Sequence, residues 1–312
     1  MTRPRALRRG DRVALVSPAS PFDRGEFDRG AAELSRLGFE PVWDDRVFAR
    51  EPMVSGPPAL RAGAFLDALR DPAIRAIVAV RGGYGSVELL PWLDPRELAG
   101  ARKIICGYSD ITSLLVYAVC HAGLVAFHGP MLDRRLSRGE AGYDKASFLA
   151  ALSEPAPMGR LAPPGLSVLR EGTAEGTLVG GTLTQIAAGL GTPYGLALDA
   201  PAILFLEDVG ERPYKLRRML MQLKLAGAFA RVSGLVLGEM SGCDEPGGQP
   251  SACDVITAAL EDFTGPIISG FPSGHGEAPL WTLPFGVRAS MTTAGGPSLT
   301  IEEPAVEGDT SR

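Results

Sequence analysis

Histidine and cysteine are scarce in this chain of 312 residues: His121, His128 and His275 are its only histidines, and Cys106, Cys120, Cys243 and Cys253 its only cysteines. No two cysteines form a C-x-x-C pair, and four thiols are too few for a disulfide framework. They read as buried free thiols of a reducing compartment, so a cytoplasmic protein is expected. With no H-E-x-x-H and no paired Cys/His spacing, no metal site is expected either. Basic charge is also short. Against 36 Asp and Glu stand 31 Lys and Arg, a net −5 that excludes a nucleic-acid footprint. Long apolar runs are missing too. The longest uncharged stretch runs from Ile111 up to Asp133 and is broken by His121, Gly123, His128, Gly129 and Pro130. A membrane span needs about 20 mostly apolar residues, so none is expected. Behind the basic start, only Val13 to Val16 are apolar, which suits a first buried strand better than an export signal.

What is present is an ordinary globular composition, 45% hydrophobic and 21% charged, with 39 glycines and 26 prolines implying many turns. Short apolar runs alternate with helical spacing. Strands are expected at 13–16, 74–80, 103–106 and 124–127, and helices at 26–37, 58–70 and 111–120. That alternation implies an α/β chain whose N-terminal sheet is mainly parallel with helices on both faces, Rossmann- or flavodoxin-like. Prolines 155, 157, 163 and 164 mark a change of texture. The expected division is an N-terminal α/β domain over 1–154, a linker over 155–175, a smaller β-rich α/β C-terminal domain over 176–302, and a flexible tail over 303–312. In the second half, strands are expected at 202–206, 232–237 and 266–269, and a helix at 213–226 with proline in its first turn.

Arg81-Gly82-Gly83-Tyr84-Gly85 follows a buried strand, where α/β proteins place ligand-binding turns. It fails as a dinucleotide fingerprint because Glu88 stands where the third glycine belongs, and no P-loop motif occurs, so no cofactor is expected. Two readings stand level for it: free N–H groups facing a substrate oxygen, or a tight turn needing positive φ. Ser109, in Gly107-Tyr108-Ser109-Asp110, lies between a strand and a helix. Such a place projects a hydroxyl outward and sets the Asp110 N–H at a helix N-terminus. A nucleophile with an oxyanion donor beside it fits; so does a plain helix cap. A nucleophilic serine needs a base. His121 falls at a helix end and reads as a C-cap, and His128 at a strand end can line a pocket or bond the backbone. His275, flanked by Gly274 and Gly276, has no packing duty and is the best base. Glu207, the first polar residue after a buried strand, is the orienting acid, unless Glu207, Asp208 and Glu211 all serve the next helix.

Taken in order along the chain, Gly10 to Pro21, Arg81 to Gly85, Gly107 to Asp110, Phe127 to Pro130, Gly180-Gly181, Leu190 to Tyr194, Leu206 to Gly210 and Gly274 to Gly276 resemble the LD-carboxypeptidase (muramoyltetrapeptide carboxypeptidase) family of serine peptidases, S66. The resemblance implies a Ser109–Glu207–His275 triad, an oxyanion hole from the N–H groups of Asp110 and Gly83, a small peptide substrate and a homodimer. Arg81 is assigned to the terminal carboxylate of the substrate, with Gly82, Tyr84 and His128 as further substrate contacts. Two positions depart from the family pattern: Thr182 in place of asparagine, and Arg217 in place of an acid. The implied activity is release of the terminal D-alanine from an L,D-linked murein tetrapeptide in peptidoglycan recycling. An alternative is the microcin C immunity branch, which cleaves peptidyl- or aminoacyl-nucleotide amides and stacks the nucleotide on aromatics. The segment from Gly242 to Ala252 lacks aromatics, which favours murein. A second alternative, an inactive small-ligand-binding module on the same fold, has no need to keep all three residues.

Overall fold

A computed structural model of the chain describes residues 1–308. Its first half runs β1 (Arg12–Val16), α1 (Arg24–Arg36), β2 (Glu40–Val42), α2 (Pro58–Arg70), β3 (Ile74–Ala79), α3 (Pro95–Ala101), β4 (Ile104–Gly107), α4 (Thr112–Cys120), β5 (Ala126–His128) and α5 (Lys145–Ser153). The second half runs β6 (Pro157–Leu161), β7 (Ser167–Arg170), β8 (Thr173–Thr182), α6 (Leu183–Gly189), β9 (Ala202–Val209), α7 (Pro213–Leu225), β10 (Val232–Ser241), α8 (Ala252–Ala259), β11 (Ile267–Phe271), β12 (Leu283–Phe285), β13 (Arg288–Thr292) and β14 (Ser298–Pro304).

Strands that are apolar on both faces belong in a sheet covered on both sides, and β1, β3 and β4 are of that kind. They form a six-stranded sheet in the order β12-β5-β4-β3-β1-β2, parallel except for β12. Without β12 this is the doubly wound 2-1-3-4-5 order, whose ligands sit beyond the carboxyl ends of the strands. The turns carrying Gly82-Gly83 and Ser109 leave from those ends of β3 and β4. The second sheet has eight strands in the order β6-β14-β13-β8-β9-β10-β11-β7, with a parallel middle from β8 to β11 and antiparallel flanks.

Three expectations are corrected. Residues 155–175 are no bare linker, since they supply both edge strands of the second sheet, β6 and β7. Pro157 opens β6 at an edge, where a missing N–H does least harm. Residues 303–308 are no tail: β14 ends at Pro304, Ala305 and Val306 are buried, and Glu307 bridges Arg5. Residues 309–312 of that expected tail lie outside the described residues. Buried thiols hold for Cys106 and Cys243 but not for Cys253, which is exposed on α8. The two halves also share a sheet, because β12 pairs with β5 through Leu283 and His128. Among the described residues no helix is long and apolar enough to cross a membrane.

Candidate active site

At the end of β4 the backbone turns sharply. Gly107 allows it, because a Cβ there would stand 2.8 Å from Ile111. Ser109 follows with φ of +64°, in the left-handed region that a non-glycine residue enters only when its surroundings hold it there. Those surroundings are visible. The Asp110 carboxylate accepts the Ser86 N–H at 2.8 Å, the Ser86 hydroxyl donates to Asp110 O at 2.6 Å, and Ile111 N–H donates to Tyr108 O at 3.2 Å. Burial pushes the Asp110 carboxyl above its usual range, against the pull of the Ser86 hydrogen bonds. Neither Ser109 nor Asp110 caps α4 with its side chain, so the plain capping reading fails.

The glycine turn after β3 presses on the same point. A Cβ on Gly82 would lie 2.8 Å from Ser109 Cβ and 3.3 Å from the Asp110 nitrogen. Gly83 has φ of +101° and room for no side chain, with Ser20 Oγ at 2.4 Å from a Cβ placed there. Close approach of a neighbour thus excludes a side chain at both glycines, and Gly83 adds a positive φ.

His275 arrives from the loop after β11. Its Nε2 lies 2.9 Å from Ser109 Oγ, and its Nδ1 lies 2.7 Å from Glu207 Oε2, which also accepts the His275 backbone N–H at 3.1 Å. Glu207, on β9, is fully buried. Its other oxygen accepts the Thr182 hydroxyl. Burial, the largest single influence on Glu207, works to raise its pKa. The charge and hydrogen bond of His275, the charge of His128 and the hydroxyl of Thr182 together outweigh it and hold the carboxyl below the usual range. The Gly180-Gly181 pair delivers Thr182: a Cβ on Gly180 would strike Phe205 O and one on Gly181 would strike Thr112. Asp208, next along β9, does not serve α7. It accepts the N–H and hydroxyl of Thr184 in the first turn of α6, at 2.9 and 2.8 Å.

One important residue escapes sequence reasoning. Arg135 is 4% exposed and donates to the carbonyls of Gly274, Gly276 (2.7 Å), Gly142 (3.3 Å) and Ala278 (3.2 Å). It therefore holds the loop that carries His275. No sequence signal separates it from its neighbour Arg134, since only burial distinguishes a buried arginine from an exposed one. Tyr108 contacts both Arg135 and His275, with its ring 5.0 Å from that of His275 and 5.8 Å from the Arg135 guanidinium.

The cavity over Ser109 measures about 500 Å³ and is lined by Arg81, Gly82, Gly83, Tyr108 and His275 among others. Arg81 is already engaged, donating to Pro21 O at 2.8 Å and pairing with Asp133 at 3.4 Å. Tyr84 points away: its hydroxyl donates to Glu88 at 3.2 Å, and it lines a different cavity with Val116 and Tyr194. His128 as a substrate contact is corrected. It is fully buried among the rings of Tyr108, Phe205 and Phe285, and burial drives its pKa down to about 4. His121 ends α4 and bonds Gly195 O at 2.8 Å, while Arg217 is exposed on α7. Among the described residues no group of His, Cys, Asp and Glu is arranged to hold a metal ion.

An imidazole whose Nδ1–H is held by a carboxylate presents a lone pair at Nε2, and here a hydroxyl sits on it. Comparison with known proteins agrees with a hydrolase. Residues 13–129 match the family model for the LD-carboxypeptidase N-terminal domain and residues 175–291 that for the C-terminal domain. A probable murein peptide carboxypeptidase of Bacillus subtilis is 32% identical, over 94% of this chain and 92% of its own. A murein tetrapeptide carboxypeptidase of Pseudomonas aeruginosa is 33% identical, over 85% and 88%. Among solved structures, the microcin C7 self-immunity protein MccF superposes with a TM-score of 0.90 at 25% identity, covering 98% of this chain and all of that one.

Proposed function

The chain belongs to the LD-carboxypeptidase family of serine peptidases, and on that premise we propose that it removes the terminal D-alanine from an L,D-linked murein tetrapeptide. The observation carrying the proposal is the unbroken series of contacts Ser109–His275–Glu207 at the mouth of one cavity. In the proposed mechanism His275 Nε2 takes the hydroxyl proton as Ser109 Oγ attacks the amide carbonyl. Glu207, buried and ionised, holds the ring and stabilises its cation. The N–H groups of Asp110 and Gly83 receive the developing oxyanion, an effect commonly worth about 3–4 kcal/mol per donor. The imidazolium then protonates the departing amine, and water releases the acyl group by the reverse sequence of proton transfers. This chemistry suits recycling of murein peptides in the cytoplasm.

A second reading, cleavage of a peptidyl- or aminoacyl-nucleotide amide, is favoured by the likeness to MccF. The aromatic-poor segment between β10 and α8 argues against a stacked nucleotide base. Incubation with both substrates, followed by mass spectrometry, separates the two. Ser109→Ala is expected to lower kcat by about 10⁴-fold or more with an almost unchanged melting temperature. Turnover retained in that variant would sink the assignment.

A further inference from the structure

Four arginines, 81, 134, 135 and 138, line the cavity over Ser109, and their surroundings divide them into two kinds. Arg81 and Arg135 are committed to protein partners: Arg81 to Pro21 O and Asp133, Arg135 to four backbone carbonyls. Arg134 and Arg138 are exposed. The Arg134 side chain is 75% exposed, with only its Nε facing Asp133 at 4.0 Å, and the Arg138 side chain has no hydrogen bond or ion pair among the described residues.

The backbone beneath them is fixed. Arg134 is held at φ of +62°, a conformation that arginine does not take without support. Glu26 on α1 supplies that support, accepting the Arg134 N–H at 2.8 Å and the Ser137 hydroxyl on the same oxygen. Asp133 N–H donates to Val80 O at 2.9 Å, Leu136 N–H to Met131 O at 3.0 Å, and Arg138 N–H to Arg135 O at 3.1 Å. Of the three carboxylates on the wall, Glu26 and Asp133 are thus occupied, and Glu277 is exposed. A strained, tightly braced segment that presents two uncommitted guanidiniums beside a reactive hydroxyl is arranged for an anion.

We propose that Arg134 and Arg138 form the clamp for the free C-terminal carboxylate of the peptide substrate. The proposal rests on the carboxypeptidase reading above and names what makes that reading selective. In such a substrate the carboxylate lies one residue beyond the attacked carbonyl, so both ends must fit the single cavity that holds Ser109 and the two arginines. A C-terminal amide keeps the shape and loses the charge.

The test compares murein tetrapeptide with its C-terminal amide, by calorimetric binding to the S109A protein and by kinetics in the active enzyme. With both arginines present, the acid is expected to bind roughly 10- to 100-fold tighter than the amide, the range of charge-assisted hydrogen bonds. In R134Q/R138Q that preference falls to about unity, through KM rather than kcat, while the amide is unaffected. R134K/R138K restores part of it, because charge is kept and the planar fork is lost. Absence of an acid preference with the arginines in place, absence of binding by either peptide, or a preference surviving in R134Q/R138Q each overturns the clamp. Failure of the functional reading looks different: the active enzyme would bind the tetrapeptide and leave it uncleaved.

Discussion

Ser109 and His275 meet at 2.9 Å, yet they are held there over very different lengths of chain. The serine turn is braced from nearby: Gly82 presses on it from the preceding strand end, and Ser86 ties Asp110 from 24 residues away. The histidine loop is braced from afar, by Glu207 at a separation of 68 residues and by Arg135 at 139. Close packing by Gly82 and the Ser86–Asp110 hydrogen bonds hold the first in its left-handed φ. Buried polar contacts fix the second. The lesson is that the proposed nucleophile is placed by two neighbouring turns of one sheet, whereas the proposed base depends on contacts between the two halves of the chain.

The largest effect should come from cutting the link between the two halves. Glu207→Gln keeps the shape but removes the charge that orients the ring, and kcat is expected to fall by about 10⁴-fold. Steady-state kinetics checks this, and a loss under tenfold would show that the loop is positioned without Glu207. Next comes a matched pair of variants. Gly82→Ala drives a Cβ against Ser109 and should cost activity with little stability, whereas Arg135→Gln strands the carbonyls of Gly274 and Gly276 and should cost both. The expected figures are about 10- to 100-fold in kcat for each, by analogy with small misplacements of reacting groups. Only Arg135→Gln should also lose stability, about 2–4 kcal/mol by urea unfolding. Equal stability losses would erase the contrast between a local and a distant brace.

The smallest effect concerns the other buried histidine and is visible only in acid. Unfolded, His128 takes up a proton near pH 6.5; folded, it does so only near pH 4. Between those values the unfolded chain binds more protons, so stability falls as pH drops through that window. His128→Phe removes this term. Its stability relative to wild type should be constant above pH 7 and improve by up to about 3 kcal/mol toward pH 4. Urea unfolding at pH 7 and pH 5 decides, and parallel curves at both would mean that His128 is protonated with ease.

Much of the first sheet was legible. The runs at β1, β3 and β4 are apolar on consecutive residues, and α2 has helical spacing from Pro58 to Arg70. The second sheet was harder. β8 carries Gly176, Gly180 and Gly181 among polar residues, and its identity as a central strand follows from what packs on it. β6 and β7 lie in a proline-rich stretch that reads as a connector, because edge strands tolerate the residues that break central ones. At the site, Ser109 and His275 stood out because histidines are few, a strand precedes Ser109 and glycines flank His275. Glu207 stood out as the first polar residue after the apolar run from Ala202, although β9 continues through it to Val209. The brace by Arg135, the hydroxyl of Thr182 on Glu207 and the committed state of Arg81 did not.

The amino-acid order alone determined where most apolar strands begin, where glycines permit a turn, and which few side chains were chemically able to act. Those properties depend on backbone dihedrals and short-range periodicity, which neighbouring residues impose on each other. Only the tertiary structure decided which histidine is sealed among aromatic rings and which touches Ser109, or which of two adjacent arginines is buried. Desolvation and hydrogen bonding are set by whatever surrounds a group in space, and here those surroundings come from more than a hundred residues away.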